Sequence, residues 1–337
     1  MTLPQGRGLR VAIIGAAGLV GETLARVLTE RRFPIASLRA FGTARSAGSQ
    51  LRAGGCDAAI ESLDDAREPF AGIDVAFFAA GDAVSRAYAQ AAADAGAFVV
   101  DKSTVHRLDA RTPLVVPEVN GDAIGDARLV ANPNCSTIPL AVALAPIDRA
   151  FGLAWLNATA LQSVSGAGKD ALAEYEAQLH GSEAVGALPR RIAGNLIPQN
   201  GAFDESGYAD EERKIAAEFA KILEHPELPV SVTCVRVPVG VGHSATLSFA
   251  TRRPATREQL VEVISAAPSV RFYDGSAYAT PLEAAGNDVV HVSRLRSDAA
   301  RPGAFLCWIT CDNLRKGAAT NAVQIVECAS RAAKVPA

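Results

Sequence analysis

The sequence predicts an α/β chain in two parts, a parallel-sheet nucleotide-binding half followed by an α+β half. Three observations carry that prediction. An apolar, β-branched run at residues 9–14 passes directly into Gly15-Ala16-Ala17-Gly18-Leu19-Val20-Gly21 and then into a helical pattern at 22–31. That order, strand then glycine turn then helix, is the opening of a nucleotide-binding unit. Further runs at 35–41, 73–79, 98–101 and 129–131 are almost continuously apolar, as strands buried on both faces of a parallel sheet are. From residue 155 the strand candidates lengthen, at 155–164, 230–239, 245–251, 289–295 and 304–310, with helical patterns at 169–179, 209–223 and 257–266. Together these predict a mostly antiparallel α+β region.

At 337 residues and 49% hydrophobic, the chain is long enough for two domains with real cores. A net charge of -3 gives no electrostatic footprint for nucleic acid or an anionic membrane. The longest apolar stretch, 138–156, is broken by Pro139, Pro146, Asp148 and Arg149, and residues 1–10 lack a signal-peptide core. A cytoplasmic protein is expected, with neither membrane nor nucleic-acid partners. The cysteines at 56, 135, 234, 307, 311 and 328 form no C-x-x-C pair and stand near no histidine at zinc spacing, so reduced thiols and no metal are expected. Cys307 and Cys311 sit in a strand-like run and read as packing residues.

Taken in order, the helix after the glycine turn offers its first amides to a pyrophosphate. The second strand ends where a dinucleotide fold reads the adenosine ribose. There the chain has Gly42-Thr43-Ala44-Arg45-Ser46-Ala47-Gly48, without a carboxylate. One cation and two hydroxyls, Thr43, Arg45 and Ser46, suit a 2'-phosphate, which favours NADP over NAD. A helix at 82–95 follows. Past the strand at 98–101 lies the polar loop Asp101-Lys102-Ser103-Thr104-Val105-His106-Arg107, where open α/β sheets place ligands. The run at 129–131 then meets Asn132-Pro133-Asn134-Cys135-Ser136-Thr137, a proline turn that delivers a cysteine to a helix start. Buried cysteine usually acts as a small hydrophobe; at a helix N-terminus, open amides and the dipole favour its thiolate. In the second half, Arg236 closes a strand-like run and His243 follows on the glycine-rich turn Gly240-Val241-Gly242. Histidine titrates nearest neutrality and is the natural acid/base partner of a thiol. A last helical run covers 318–333.

Five segments in order are similar to the aspartate-β-semialdehyde dehydrogenase family: N-P-N-C-S-T at 132–137, L-Q-S-V-S-G-A-G at 161–168, C-V-R-V-P-V at 234–239, G-H-S at 242–244 and D-N-L-R-K-G-A-A-T-N-A at 312–322. The resemblance implies a Rossmann-type NADP domain (1–134, completed by a C-terminal helix at 317–337) and an α+β catalytic and dimerisation domain (135–316), as in glyceraldehyde-phosphate dehydrogenases. It implies Cys135 as nucleophile, His243 as acid/base and Gln162 as the residue that orients substrate. Substrate contacts fall on Arg236 for the α-carboxylate, Glu211 for the ammonium, and Lys214, Arg107 and Asn134 for phosphate. Cofactor contacts fall on Gly15, Ala17, Gly18, Leu19, Val20 and Gly21, on Thr43, Arg45 and Ser46, and on Ser165, Gly166 and Asn321. The implied reaction is the NADPH-linked reductive dephosphorylation of β-aspartyl phosphate to aspartate semialdehyde through a Cys135 thioester. It serves lysine, threonine, methionine and diaminopimelate synthesis, in a homodimer or homotetramer. Typical members have asparagine and phenylalanine where this chain has Lys102 and His106. A non-catalytic paralogue and an N-acetylglutamyl-phosphate reductase remain as alternatives; Glu211 suits a free amine better than an acetylated one.

Overall fold

A computed structural model describes residues 7–332. Residues 1–6 of the segment read for a signal peptide, and 333–337 at the end of the C-terminal helical run, lie outside the described residues. The chain divides into two units, one running to Pro133 and resuming at Ala318, the other Asn134–Gly317.

The first unit contains β1 (Leu9–Ile14), α1 (Leu19–Glu30), β2 (Ile35–Gly42), β3 (Gln50–Ala53), β4 (Cys56–Ser62), β5 (Val75–Phe78), α2 (Asp82–Asp94), β6 (Phe98–Asp101), α3 (Pro117–Asn120) and β7 (Leu129–Ala131). Its sheet runs β3-β4-β2-β1-β5-β6-β7. Every pairing is parallel except β3 with β4. Alternate side chains of β1 leave on opposite faces: Val11 and Ile13 join Leu24 and Leu28 of α1, while Ala12 and Ile14 join Ala89 and Ala92 of α2. Two-sided burial is why these strands read as unbroken apolar runs.

The pair β3 and β4 goes beyond the predicted strands. A Gly54-Gly55 turn joins them; β3 alternates between exposed and buried residues, and β4 is exposed or half-buried except at Ile60, so this half-exposed edge lacks the apolar run that marks a central strand. Helix α1 starts three residues before its helical pattern, inside the glycine motif. A Cβ on Gly21 would stand 2.3 Å from the Gly15 carbonyl oxygen, so only glycine lets the helix begin against the turn.

Asp74 pins the start of β1 to β5. Its carboxylate accepts the Arg10 amide at 2.8 Å, Arg10 Nη2 at 2.9 Å and Arg7 Nη2 at 2.9 Å. Burial alone would raise this carboxyl, but the Arg10 and Arg7 hydrogen bonds bring it down to about 2. A depressed carboxyl stabilises the fold above its unfolded pKa of about 4 and loses that contribution as pH falls toward 2. Because both arginines are nearly half exposed, the contribution is discounted to about 1 kcal/mol. Asp74→Asn should therefore lower urea stability by about that amount at pH 7, with the gap to wild type closing between pH 4 and 2.

The second unit contains α4 (Thr137–Phe151), β8 (Leu153–Gln162), α5 (Lys169–Leu179), α6 (Asp210–Ile222), β9 (Val230–Arg236), β10 (His243–Thr251), α7 (Arg257–Ser265), β11 (Val270–Tyr273), α8 (Pro281–Ala284), β12 (Val290–Ser297) and β13 (Ala304–Cys311). Its sheet runs β11-β12-β13-β10-β8-β9. The central pairs are antiparallel, as expected, but both edge pairs, β11 with β12 and β8 with β9, are parallel. Helix α4 packs against α6, α7 and strands of this sheet and is buried over most of its length, which explains an apolar sequence with no amphipathic stripe. Helix α9 (Thr320–Ala332) belongs to the first unit, where Val323 and Val326 enter the same cluster as Leu24. A π-helical turn at Arg315–Ala319 delays its regular winding to Thr320. Among the described residues no helix is long and apolar enough to cross a membrane.

Candidate active site

The parallel edge of the second sheet assembles the polar residues. Gln162 ends β8 and pairs with Arg236, which ends β9. On the other side of β8, Ser244 pairs with Leu161, so His243, the first residue of β10, stands beside Gln162. Three strand ends thus present glutamine, arginine and histidine in a row. His243 was expected on the glycine-rich turn; it lies instead in the strand, paired across β13 with Cys311. The ladder to β13 at His243 itself, and the ladder to β8 that begins at Ser244, hold it more rigidly than a loop would. The turn itself serves the approach: Gly242 has φ +101°, and a Cβ there would come within 2.9 Å of Pro281.

The turn before α4 brings the thiol to this row. The Asn134 carbonyl accepts the Ile138 amide at 3.0 Å, and Asn134 Oδ1 accepts the Ser136 amide at 2.8 Å. Helical winding therefore begins around the cysteine, as the sequence led us to expect. Cys135 Sγ lies 3.2 Å from His243 Nε2. The other ring nitrogen, Nδ1, accepts the Ser163 amide at 3.0 Å. Burial, and then the Arg236 charge, hold this histidine well below its ordinary pKa, so it is neutral at neutral pH.

Arg236 is 7% exposed. Burial pulls its guanidinium down from the usual value, while Cys135 and Glu211 hold it up. Nη1 donates to the Ser163 carbonyl at 2.9 Å, and Nε is buried with no hydrogen-bond partner in the protein. An unsatisfied guanidinium edge in a buried site is matched to a planar anion. Helix α6 supplies the opposite charge. Glu211 Oε1 accepts from Asn134 Nδ2 at 2.8 Å and from Gln162 Nε2 at 3.1 Å. Gln162 also donates to Ser136 Oγ at 2.8 Å and accepts from Asn200 Nδ2. Lys214 is half-buried one turn further along α6. Gly166 borders the site: a Cβ there would sit 2.9 Å from His243 Cε1 and 3.0 Å from Arg236 Nη1.

The remaining candidates have separate surroundings. Ser165 is buried, and its hydroxyl accepts from Asn313 Nδ2 at 3.0 Å. In the first unit, Asn321 Nδ2 donates to the Val115 carbonyl at 3.0 Å and to Asn132 Oδ1 at 2.8 Å; the side chain expected at a cofactor braces the proline turn. Arg107 is buried and donates to the Lys102 carbonyl. Thr43 and Arg45 are exposed and Ser46 half-buried around a short turn after β2. The glycine turn fits a nucleotide. Gly15 has φ +83° and would place a Cβ 2.7 Å from the Ala79 carbonyl, and Gly18, at the N-cap of α1, has no side chain to occupy the amides of Leu19 and Val20.

Cys234, Cys307 and Cys311 are buried, and burial raises all three thiols, Cys307 to about 12. They are packing groups. Among the described residues no cluster of His, Cys, Asp or Glu is arranged to hold a metal.

The chain matches the NAD-binding domain of semialdehyde dehydrogenases over residues 10–127 and their dimerisation domain over 144–316. It is 42% identical to an aspartate-semialdehyde dehydrogenase of Legionella pneumophila, with 96% of each chain covered. The chain belongs to the aspartate-semialdehyde dehydrogenase family. Another relative, from Bacillus subtilis, is 39% identical over 96% of this chain and 98% of its own. The crystal structure of aspartate semialdehyde dehydrogenase II from Vibrio cholerae complexed with ASA superposes with a TM-score of 0.93 at 39% identity, covering 97% of this chain and 99% of that one. Membership makes the chain an oxidoreductase with a nicotinamide-binding domain and sets aside the paralogue and N-acetylglutamyl-phosphate reductase readings.

Within this family frame, several functional-site residues were missed from the sequence. Glu218 Oε2 accepts the Asn134 amide at 2.6 Å, Asn200 caps Gln162, and Ser163 and Asn313 form the far side of the histidine. Ser163 and Asn313 lay inside recognised motifs; Asn200 and Glu218 had no sequence signal beyond being polar.

Proposed function

We propose that this chain is an NADP-linked aspartate-semialdehyde dehydrogenase that works in the cell as a reductase of β-aspartyl phosphate, in cytoplasmic amino-acid synthesis leading to lysine, threonine, methionine and diaminopimelate. The observation that carries this reading is Cys135 Sγ at 3.2 Å from His243 Nε2, beside a buried arginine with an open edge. In the oxidative direction the reactive form is a Cys135 thiolate beside a doubly protonated His243: Sγ attacks the aldehyde carbon, Nε2–H gives its proton to the oxygen to form the hemithioacetal, and Nε2 takes that hydroxyl proton back as the carbon is oxidised. A bound nicotinamide supplies the two-electron exchange. The carbon is then a thioester on Cys135, which inorganic phosphate attacks to release β-aspartyl phosphate and the thiolate. Arg236 holds the substrate carboxylate through two parallel hydrogen bonds, Glu211 meets the ammonium, and Lys214, Arg107 and Asn134 receive phosphate. Gln162, fixed by Ser136 and Asn200, orients the substrate. Self-association through residues 144–316, as a dimer or a pair of dimers, completes the proposal.

The test is reduction of NADP+ by aspartate semialdehyde, with and without phosphate, and the same with NAD+. Turnover absent with both cofactors in folded protein rejects the proposal. Since Thr43, Arg45 and Ser46 are proposed to read the 2'-phosphate, Arg45→Ala should raise the NADP+ KM about tenfold or more and leave NAD+ within about twofold. Equal losses would remove Arg45 from cofactor selection.

A further inference from the structure

The side of His243 turned away from the thiol is built from hydrogen-bonding groups rather than apolar packing. Nδ1 faces two groups of one residue: the Ser163 amide at 3.0 Å and the Ser163 hydroxyl at 2.9 Å. An amide only donates, so it requires a lone pair on Nδ1 and leaves the proton of the neutral ring on Nε2, aimed at Cys135 Sγ. A hydroxyl does either. Here the Ser163 hydroxyl donates to Asn313 Oδ1 at 2.9 Å, which leaves an oxygen lone pair toward Nδ1. Asn313 is fixed in that orientation because Oδ1 also accepts the Gly242 amide at 2.9 Å, while Nδ2 donates to Ser165 Oγ at 3.0 Å. Ser163, Ser165 and Asn313 are all buried, so solvent does not replace these bonds.

We propose that Ser163 is a positioning residue that sets the protonation behaviour of His243: its amide fixes the Nε2–H tautomer of the neutral ring, and its hydroxyl, oriented by Asn313, accepts the proton on Nδ1 when the ring becomes doubly protonated. The inference rests on the acid/base reading of His243 given above. Without the hydroxyl, the imidazolium would face only an amide donor.

The other groups that titrate or carry charge around the ring come from four elements. Cys135 arrives from the turn before α4, and Arg236, from the end of β9, opposes the imidazolium. Cys311 on β13 stays a neutral thiol because burial raises it. Asp312 turns its carboxylate to the amides of Gly286, Leu314 and Arg315, and Glu211 on α6 is taken by Asn134 and Gln162. Ser163 is thus the hydrogen-bonding residue at Nδ1, the nitrogen turned away from Cys135.

Ser163→Ala keeps the amide and removes the hydroxyl. Phosphate-dependent turnover should fall about tenfold in kcat with the semialdehyde KM unchanged. The acid limb of the kcat profile should move to lower pH, because a weaker base titrates lower. Ser163→Thr should restore both; the Ser163 backbone is extended, at φ -63° and ψ 157°, which a β-branched residue adopts without strain. Two-bond proton–nitrogen correlation spectra of labelled histidine, assigned with His243→Asn, should show Nδ1 unprotonated at neutral pH in wild type and in Ser163→Ala. An unmoved acid limb in Ser163→Ala, or a protonated Nδ1 in wild type, overturns the proposal. Full activity in His243→Asn instead overturns the acid/base reading on which it rests, so the two failures are distinguishable.

Discussion

Cys135→Ser should leave a folded protein with turnover reduced by at least about a thousandfold. Serine keeps the shape of the turn, since the Asn134 bonds that wind the start of α4 come from backbone and asparagine groups, not from the thiol. What is lost is the thiolate. An alkoxide is not populated near neutrality, and a hydroxyl beside a neutral imidazole that already accepts the Ser163 amide on its other nitrogen has no strong base to activate it. Mass spectrometry of wild type with β-aspartyl phosphate, and no nicotinamide, should show an acyl adduct on Cys135 that the serine variant lacks. Residual activity above about a tenth of wild type would place the nucleophile elsewhere.

Arg236→Ala should lower kcat/KM for the semialdehyde by two to three orders of magnitude, about 3–4 kcal/mol, mostly through KM. The guanidinium is buried and has an unsatisfied Nε, so a substrate carboxylate that pairs with it is desolvated into a strong, two-pronged contact. Arg236→Lys should recover only part of the loss, because an ammonium is a point charge without the fork. A variant with unchanged semialdehyde KM would mean that the open edge of Arg236 does not hold substrate.

The legible parts of the fold were those fixed by local hydrophobic patterning. The strands at 98–101 and 129–131 and the helix at 169–179 have the bounds that their apolar runs and flanking turns indicated. Local patterning failed where burial is one-sided, as in β3, or nearly absent, as in β4, and where a close backbone approach carries the helix into its glycine turn, as at Gly21. For the site, residue types and motifs singled out Cys135, Gln162, Arg236, Glu211 and His243, because thiol chemistry on a charged amino acid needs such groups.

By itself, then, the sequence determined the two-part α/β plan and the chemical inventory, since hydrophobic periodicity, glycine turns and functional-group chemistry are properties of neighbouring residues. Only the tertiary structure decided that a cysteine and a histidine 108 positions apart lie at hydrogen-bond distance. That depends on β8 pairing in parallel with β9 and antiparallel with β10, a register set by long-range ladders. It also decided that His243 is neutral and which of its nitrogens meets the thiol, because burial, the Arg236 charge and the Ser163 amide act on the ring only once the strands are packed.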